Sequence, residues 1–206
     1  MRLGGVILCG GQSTRMGRPK AFLPFEGKSM LECVVQRLQA ATTEMVVVAA
    51  AGQELPKLPD ACRIIRDESP LLGPLEGLRV GLSALRATCN AAFVTGCDTP
   101  LLVPEVIVFL SNELGDSEAV VVVEAGRPHP LTAIYKTSLT NLAAELLAGG
   151  ESRLQSLLES AKAKFVDAEQ LRSYDPDLAT LRNLNFPEEY QRALEGLFCE
   201  KVIRSY

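Results

Sequence analysis

The chain has 206 residues, 47% of them hydrophobic and 22% charged, with no tryptophan and a formal net charge of −4. Wholesale disorder and collagen-like or low-complexity classes are excluded, because such a chain can bury about 70% of its unfolded surface. The mildly acidic balance argues against a nucleic-acid-binding role, since no basic block stands out.

Val6 to Cys9 form a continuous apolar run that ends in Gly10-Gly11 and predicts a first buried strand. Residues 29–40 carry a helical stripe of Met30, Leu31, Val34, Val35 and Leu38. Met45 to Ala49 predict a second strand, and Arg63 to Arg66 a shorter third. Residues 74–88 place Leu75, Leu78, Leu82 and Leu85 on one helical face, and residues 91–95 predict the next strand. A helix follows over 104–114. Buried strands alternating with helices indicate a parallel sheet covered on both faces. Beyond residue 115 the pattern changes. Ala119–Glu124 and Leu131–Tyr135 are strands close enough to form a hairpin-like pair, so the sheet is expected to be partly mixed. Helices over 138–147 and 151–160, a short strand at 164–166 and a last helix over 187–197 complete the chain. With no internal repeat or long linker, residues 1–206 are expected to form a single domain.

Six cysteines are spread through the chain without a C-x-x-C pair, and His129 is the single histidine. Reduced, mostly buried thiols are the expectation, and a zinc site lacks its usual ligand clusters. Arg2 followed by the run to Cys9 is too short for a signal sequence, and no apolar run approaches the roughly 20 residues of a membrane span. A cytoplasmic protein without membrane contact is expected.

Three features converge on one edge of the sheet. The first is the loop after the first strand, Gly10-Gly11-Gln12-Ser13-Thr14-Arg15-Met16-Gly17-Arg18-Pro19-Lys20. Its glycines permit close backbone approach to a ligand, its hydroxyls can donate, and Arg15, Arg18 and Lys20 bring positive charge suited to phosphates. It matches neither the Walker A spacing nor the G-x-G-x-x-G fingerprint, which disfavours a dinucleotide-binding oxidoreductase. The second and third are Asp67 and Asp98, each directly after a predicted strand. Ligands of open α/β sheets bind beyond the carboxyl ends of the strands. Carboxylates there, joined by substrate phosphates, suit Mg²⁺ better than an all-protein metal cage does. Gly73-Pro74-Leu75-Glu76-Gly77 opens the next helix, where its N–H groups could meet a base or phosphate or simply start the helix.

Together these segments resemble the molybdenum cofactor guanylyltransferase family of nucleotidyltransferases. The resemblance rests on residues 8–17 with Lys20, Asp67 with 73–77, Cys97-Asp98-Thr99-Pro100, His129-Pro130, and Asn183-Leu184-Asn185-Phe186-Pro187-Glu188-Glu189. It implies a Rossmann-like three-layer fold with a mostly parallel, partly mixed sheet. It also implies transfer of GMP from GTP to molybdenum-loaded molybdopterin, with pyrophosphate released. Residues 1–115 would then be the nucleotide-binding half and 116–206 the half for the cofactor substrate. By carry-over, Leu8, Cys9, Gly10, Gly11, Asp67, Gly73, Pro74 and Leu75 would bind the nucleotide. Arg15, Lys20 and Asp98 would be catalytic, with Lys20 and Asp98 also on the nucleotide and Asp98 on magnesium. His129, Asn183 and Asn185 would face the cofactor substrate. Transient contact with molybdoenzyme maturation proteins is a further expectation. Two departures keep alternatives open. Ala49 stands where the family commonly places a nucleotide-binding asparagine, and Arg18-Pro19-Lys20 is similar to the related CTP-dependent cytidylyltransferases. A non-catalytic nucleotide-binding protein of the same fold is the remaining alternative.

Overall fold

A computed structural model of the chain describes residues 1–10, 18–67 and 73–203, the last seven of these by backbone alone. Seven strands form one sheet in the order β5-β4-β1-β6-β8-β7-β9. These are β1 (Leu3–Leu8), β4 (Glu44–Ala50), β5 (Cys62–Asp67), β6 (Ala91–Gly96), β7 (Ala119–Glu124), β8 (Arg127–Lys136) and β9 (Ala163–Asp167). The first four in chain order pair in parallel. β8 runs antiparallel to both β6 and β7, and β9 returns parallel to β7. The sheet is thus mostly parallel with one reversed strand, as the hairpin-like spacing of residues 119–135 suggests.

Alternating residues of the central strands feed two cores. Ile7, Met45, Val47, Phe93 and Val120 pack on one face against α1 (Met30–Gln39) and α3 (Pro104–Asn112). Val6, Val46, Val48, Val94 and Val121 pack on the other against α2 (Pro74–Leu85), α4 (Thr140–Ala148) and α5 (Leu154–Ser160). This is why the central strands read as unbroken apolar runs: both faces are covered. Helix α1 is opened by a capping box in which Ser29 Oγ accepts from Glu32 N and Glu32 Oε2 accepts from Ser29 N at 2.8 Å.

A third, smaller core ties the end of the chain to the front of the molecule. A two-stranded hairpin, β2 (Pro24–Phe25) and β3 (Lys28–Ser29), turns at Glu26-Gly27. Leu23, Phe25, Met30, Cys33 and Leu184 are buried there, with Tyr190, Ala193 and Leu194 of α6 (Pro187–Ile203) packed on them. Tyr190 also donates from its hydroxyl to the Pro24 carbonyl. The sequence gives no period for two-residue strands, and this hairpin is absent from the sequence-based expectation.

β8 begins at Arg127, so His129 and Pro130 lie inside this strand and not in a loop ahead of it. The cause is a bulge. Val121 pairs with Ala133 but Val122 pairs with His129, which leaves Pro130, Leu131 and Thr132 without a partner on β7. Proline lacks the N–H a ladder requires, and Tyr135, fully buried, fixes the displaced segment by donating to the Pro130 carbonyl at 2.9 Å. Among the described residues no helix is long and apolar enough to cross a membrane.

Candidate active site

The parallel strands β1, β4, β5 and β6 all present their carboxyl ends on one side, and a cavity of about 350 Å³ opens there. Leu8, Cys9 and Gly10 reach it from β1, Asp67 from β5, Asp98 from the segment after β6, and Gly73 and Pro74 from the start of α2. Lys20 enters from the front, on a single 3₁₀ turn (Lys20–Phe22) anchored by buried Ala21. The structure therefore brings eight of the residues singled out from sequence around one space. Gly11 and Arg15 lie outside the described residues. Leu75 is turned away: it is fully buried in the core beneath α2, and its N–H is given to the Ser152 carbonyl at 3.2 Å.

Lys20 is the hub of the polar contacts. Its Nζ donates to Asp98 Oδ2 at 2.9 Å and to Asn185 Oδ1 at 2.5 Å. The Lys20 and Asp98 side chains are only 15% and 17% exposed, so their attraction is weakly screened compared with a surface pair. Asp98 is held from below and behind. Its carbonyl accepts from Leu184 N at 2.8 Å, and Thr99 Oγ1 donates to the Gly96 carbonyl at 3.0 Å. A Cβ on Gly96 would stand 2.4 Å from Asp98 Oδ1, so this carboxylate takes the space that only glycine leaves. Gly73 precedes α2 with φ +76, a conformation that favours glycine, and lets the chain turn past Ser152 into the helix. In the first turn of α2, Glu76 is buried and gripped by Arg79 at 2.6 and 2.7 Å.

Cys9 and Cys97 follow neighbouring parallel strands and both line the cavity. The Cys97 thiol donates toward the Cys9 sulfur, which holds the Cys9 thiol below its ordinary value. The same hydrogen bond, with burial, pushes Cys97 well above it.

Asn183 and Asn185 part company. Asn185 meets Lys20, whereas Asn183 lines a neighbouring cavity of about 390 Å³ with His129, Pro130, Arg153 and Gln155. The two cavities share Pro74 and Leu131, and the bulge in β8 is what carries Leu131 between them. His129 Nε2 stands 3.4 Å from Glu124 Oε2. Among the described residues no group of three or more His, Cys, Asp or Glu side chains is placed to hold a metal. One residue of the cavity carried no sequence signal. Gln53 lies three positions past β4 and lines the cavity beside Ala49 and Ala50. No motif marks it, and its role follows only from the contacts it makes.

Residues 5–165 match the family described as the MobA-like NTP transferase domain. The chain belongs to this nucleotidyltransferase family. A protein of Mycobacterium tuberculosis named as a probable molybdenum cofactor guanylyltransferase is 38% identical over 187 residues, 89% of each chain. A protein of the same name from Mycobacterium avium is 39% identical over 170 residues, 81% of this chain and 85% of the relative. Among solved structures, molybdopterin-guanine dinucleotide biosynthesis protein A from Archaeoglobus fulgidus superposes with a TM-score of 0.77 at 25% identity, covering 98% of this chain and all of its own. The family match runs from within β1 into β9.

Proposed function

We propose that this nucleotidyltransferase transfers GMP from GTP to molybdenum-loaded molybdopterin, releasing pyrophosphate. The observation that carries the reading is the Lys20–Asp98 pair at the mouth of the strand-end cavity, with Asn185 on the same lysine. The names of the relatives supply the substrates. A phosphate oxygen of the acceptor attacks the α-phosphorus of the nucleotide, and the bond to pyrophosphate breaks. The attacking oxygen is already ionised, so the site needs no strong base, and positioning and charge neutralisation dominate. Lys20 neutralises phosphate charge, and the N-terminal end of α2 at Gly73 and Pro74 offers a favourable dipole.

Asp98 is the residue that would hold Mg²⁺. A single hard carboxylate that lines the cavity and keeps part of its side chain exposed fits an ion that takes its other ligands from phosphates and water. Bound there, the ion would add positive charge against the triphosphate. Asp67, at the far wall, borders the nucleotide. The first half of the chain, residues 1–115, handles the nucleotide. The second half, 116–206, handles the acceptor, which enters the neighbouring cavity by His129 and Asn183. Arg15, in the same stretch of sequence as Lys20, is a further catalytic cation. The working compartment is the cytoplasm, and contact with molybdoenzyme maturation proteins follows from the insertion of the product into its final enzymes.

Pyrophosphate release from each of the four NTPs with magnesium and molybdenum-loaded molybdopterin tests the reading. Turnover with GTP is expected. Turnover with CTP alone assigns the chain to the cytidylyl branch, and turnover with none overturns the proposal.

A further inference from the structure

The end of β4 offers no polar side chain to the cavity, because it closes on Ala49-Ala50-Ala51. Backbone groups at the strand ends are also largely committed. Cys9 N donates to the Val48 carbonyl at 2.8 Å, and the Leu8 carbonyl accepts from Cys97 N at 3.2 Å. Gln53 completes this frame. Its Nε2 donates to the Cys9 carbonyl at 2.7 Å, and its Oε1 accepts from Ala50 N at 3.1 Å. One side-chain amide therefore bridges the ends of β1 and β4 across the cavity wall. The Gln53 backbone is itself clamped. Its N–H donates to the Ala50 carbonyl at 3.1 Å, and its carbonyl accepts from Arg66 Nη1 at 2.6 Å, while the same Arg66 nitrogen reaches the Ala50 carbonyl at 3.3 Å.

We propose that Gln53 is a positioning residue that sets base selectivity: its amide takes up the Ala50 N–H and holds the Cys9 carbonyl in one orientation, so that this strand-end acceptor, through its second lone pair, discriminates among nucleobases without a base-reading side chain from β4. Fixed dipoles reject a wrong base because its edge meets unpaired or repelling groups, whereas dipoles free to turn do not. The inference rests on the nucleotidyltransferase reading above and deepens it.

Two near-isosteric variants separate positioning from packing. Gln53→Met fills the same space without an amide. Gln53→Glu keeps the acceptor for Ala50 N but replaces the donor to the Cys9 carbonyl with a repelling oxygen. KM and kcat are measured for all four magnesium NTPs, and their affinities are measured in parallel by calorimetry. The expected result for Gln53→Met is about a ten-fold rise in KM for the preferred NTP, the size of one good hydrogen bond, with kcat nearly unchanged. The preference over the other three falls with it, and Gln53→Glu loses more than Gln53→Met. A packing role predicts equal losses for all four NTPs, or no loss; either overturns the proposal. Should both variants fail to fold, Arg66→Met releases the same clamp from outside the cavity, and unchanged selectivity there overturns it as well. If the wild-type protein prefers one NTP in calorimetry but turns none over, the reaction fails while the selectivity test stands. If it binds none, both fail.

Discussion

Lys20 Nζ donates to Asp98 Oδ2 at 2.9 Å across 78 positions of sequence, and the same nitrogen holds Asn185 from a further 87 positions on (185 − 98). Three chain segments thus meet at one cation: the end of the Gly-rich loop, the turn after β6 and the segment just ahead of α6. A bound triphosphate with its metal would compete for both charges of the pair. Asp98→Asn preserves shape and removes charge. It is expected to fold and to lose about 10²–10³-fold in kcat, the range for deleting one preorganised electrostatic partner. Lys20→Met is expected to lose a similar factor. Steady-state pyrophosphate release with circular dichroism as the folding control checks both, and a fully active Asp98→Asn removes the metal assignment.

Gly96→Ala gives a sharper test of placement. The new Cβ would stand 2.4 Å from Asp98 Oδ1, and its other near contacts are with Asp98 as well, at 3.6 and 3.8 Å. A carboxylate end can swing aside cheaply, so the fold should tolerate the methyl. The carboxylate, however, is displaced from its position beside Lys20, and misplacement of about 1 Å can cost on the order of 10²-fold. Thermal unfolding within a few degrees of wild type, together with a large fall in turnover, is the expected pair of results. Loss of stability with retained activity per folded molecule would contradict it.

The convergence of the Gly-rich loop, Asp67 and Asp98 was legible because each follows an apolar strand, and parallel strands end on one side. α1 and α2 were legible for a similar reason, as their leucine and valine stripes persist over three turns. What sequence did not show depends on long-range contact. Nothing near Asn185 points to Lys20, and nothing near Gln53 points to Cys9, since each meeting is decided by how distant strands and the hairpin at residues 24–29 are stacked. The strand expected over Leu131–Tyr135 begins earlier, at Arg127, and takes in His129; the bulge allows it to continue through Pro128 and Pro130.

The capping box of α1 gives a pH-dependent contribution. Hydrogen bonds from Ser29 hold the Glu32 carboxyl below its ordinary value. A carboxylate with a lowered folded-state pKa stabilises fully above its unfolded value of about 4.3, and this contribution fades as pH falls toward the folded value. Glu32→Ala should therefore lower the unfolding midpoint at pH 7, with the gap to wild type narrowing below about pH 4. Ser29→Ala should cost about 0.5–2 kcal/mol at pH 7 through loss of the cap. Urea titrations at pH 7 and at acid pH measure both, and a gap for Glu32→Ala that widens in acid would refute the assignment.

Two glycines of α2 should respond to alanine with opposite signs. Gly81 faces β1, where a Cβ would meet Val6 Cγ1 at 2.4 Å and Cγ2 at 3.0 Å. Val6 is fully buried in a central strand, and a β-branched side chain has no free rotamer to yield into. Overpacking there costs about 1–3 kcal/mol, against about 1 kcal/mol gained from the helix propensity of alanine over glycine. Gly81→Ala should therefore be destabilising on balance. Gly77 lies one turn earlier, and its Cβ would touch Leu8 Cδ2 at 3.4 Å, an ordinary contact with a side chain bordering the cavity. Propensity then dominates, and Gly77→Ala should stabilise by up to about 1 kcal/mol. A shift of 1 kcal/mol moves the melting temperature of a chain of this size by roughly 2–4 °C, so the difference in sign is measurable by calorimetry. Equal shifts for the two variants would mean that the close packing of α2 on Val6 is wrong.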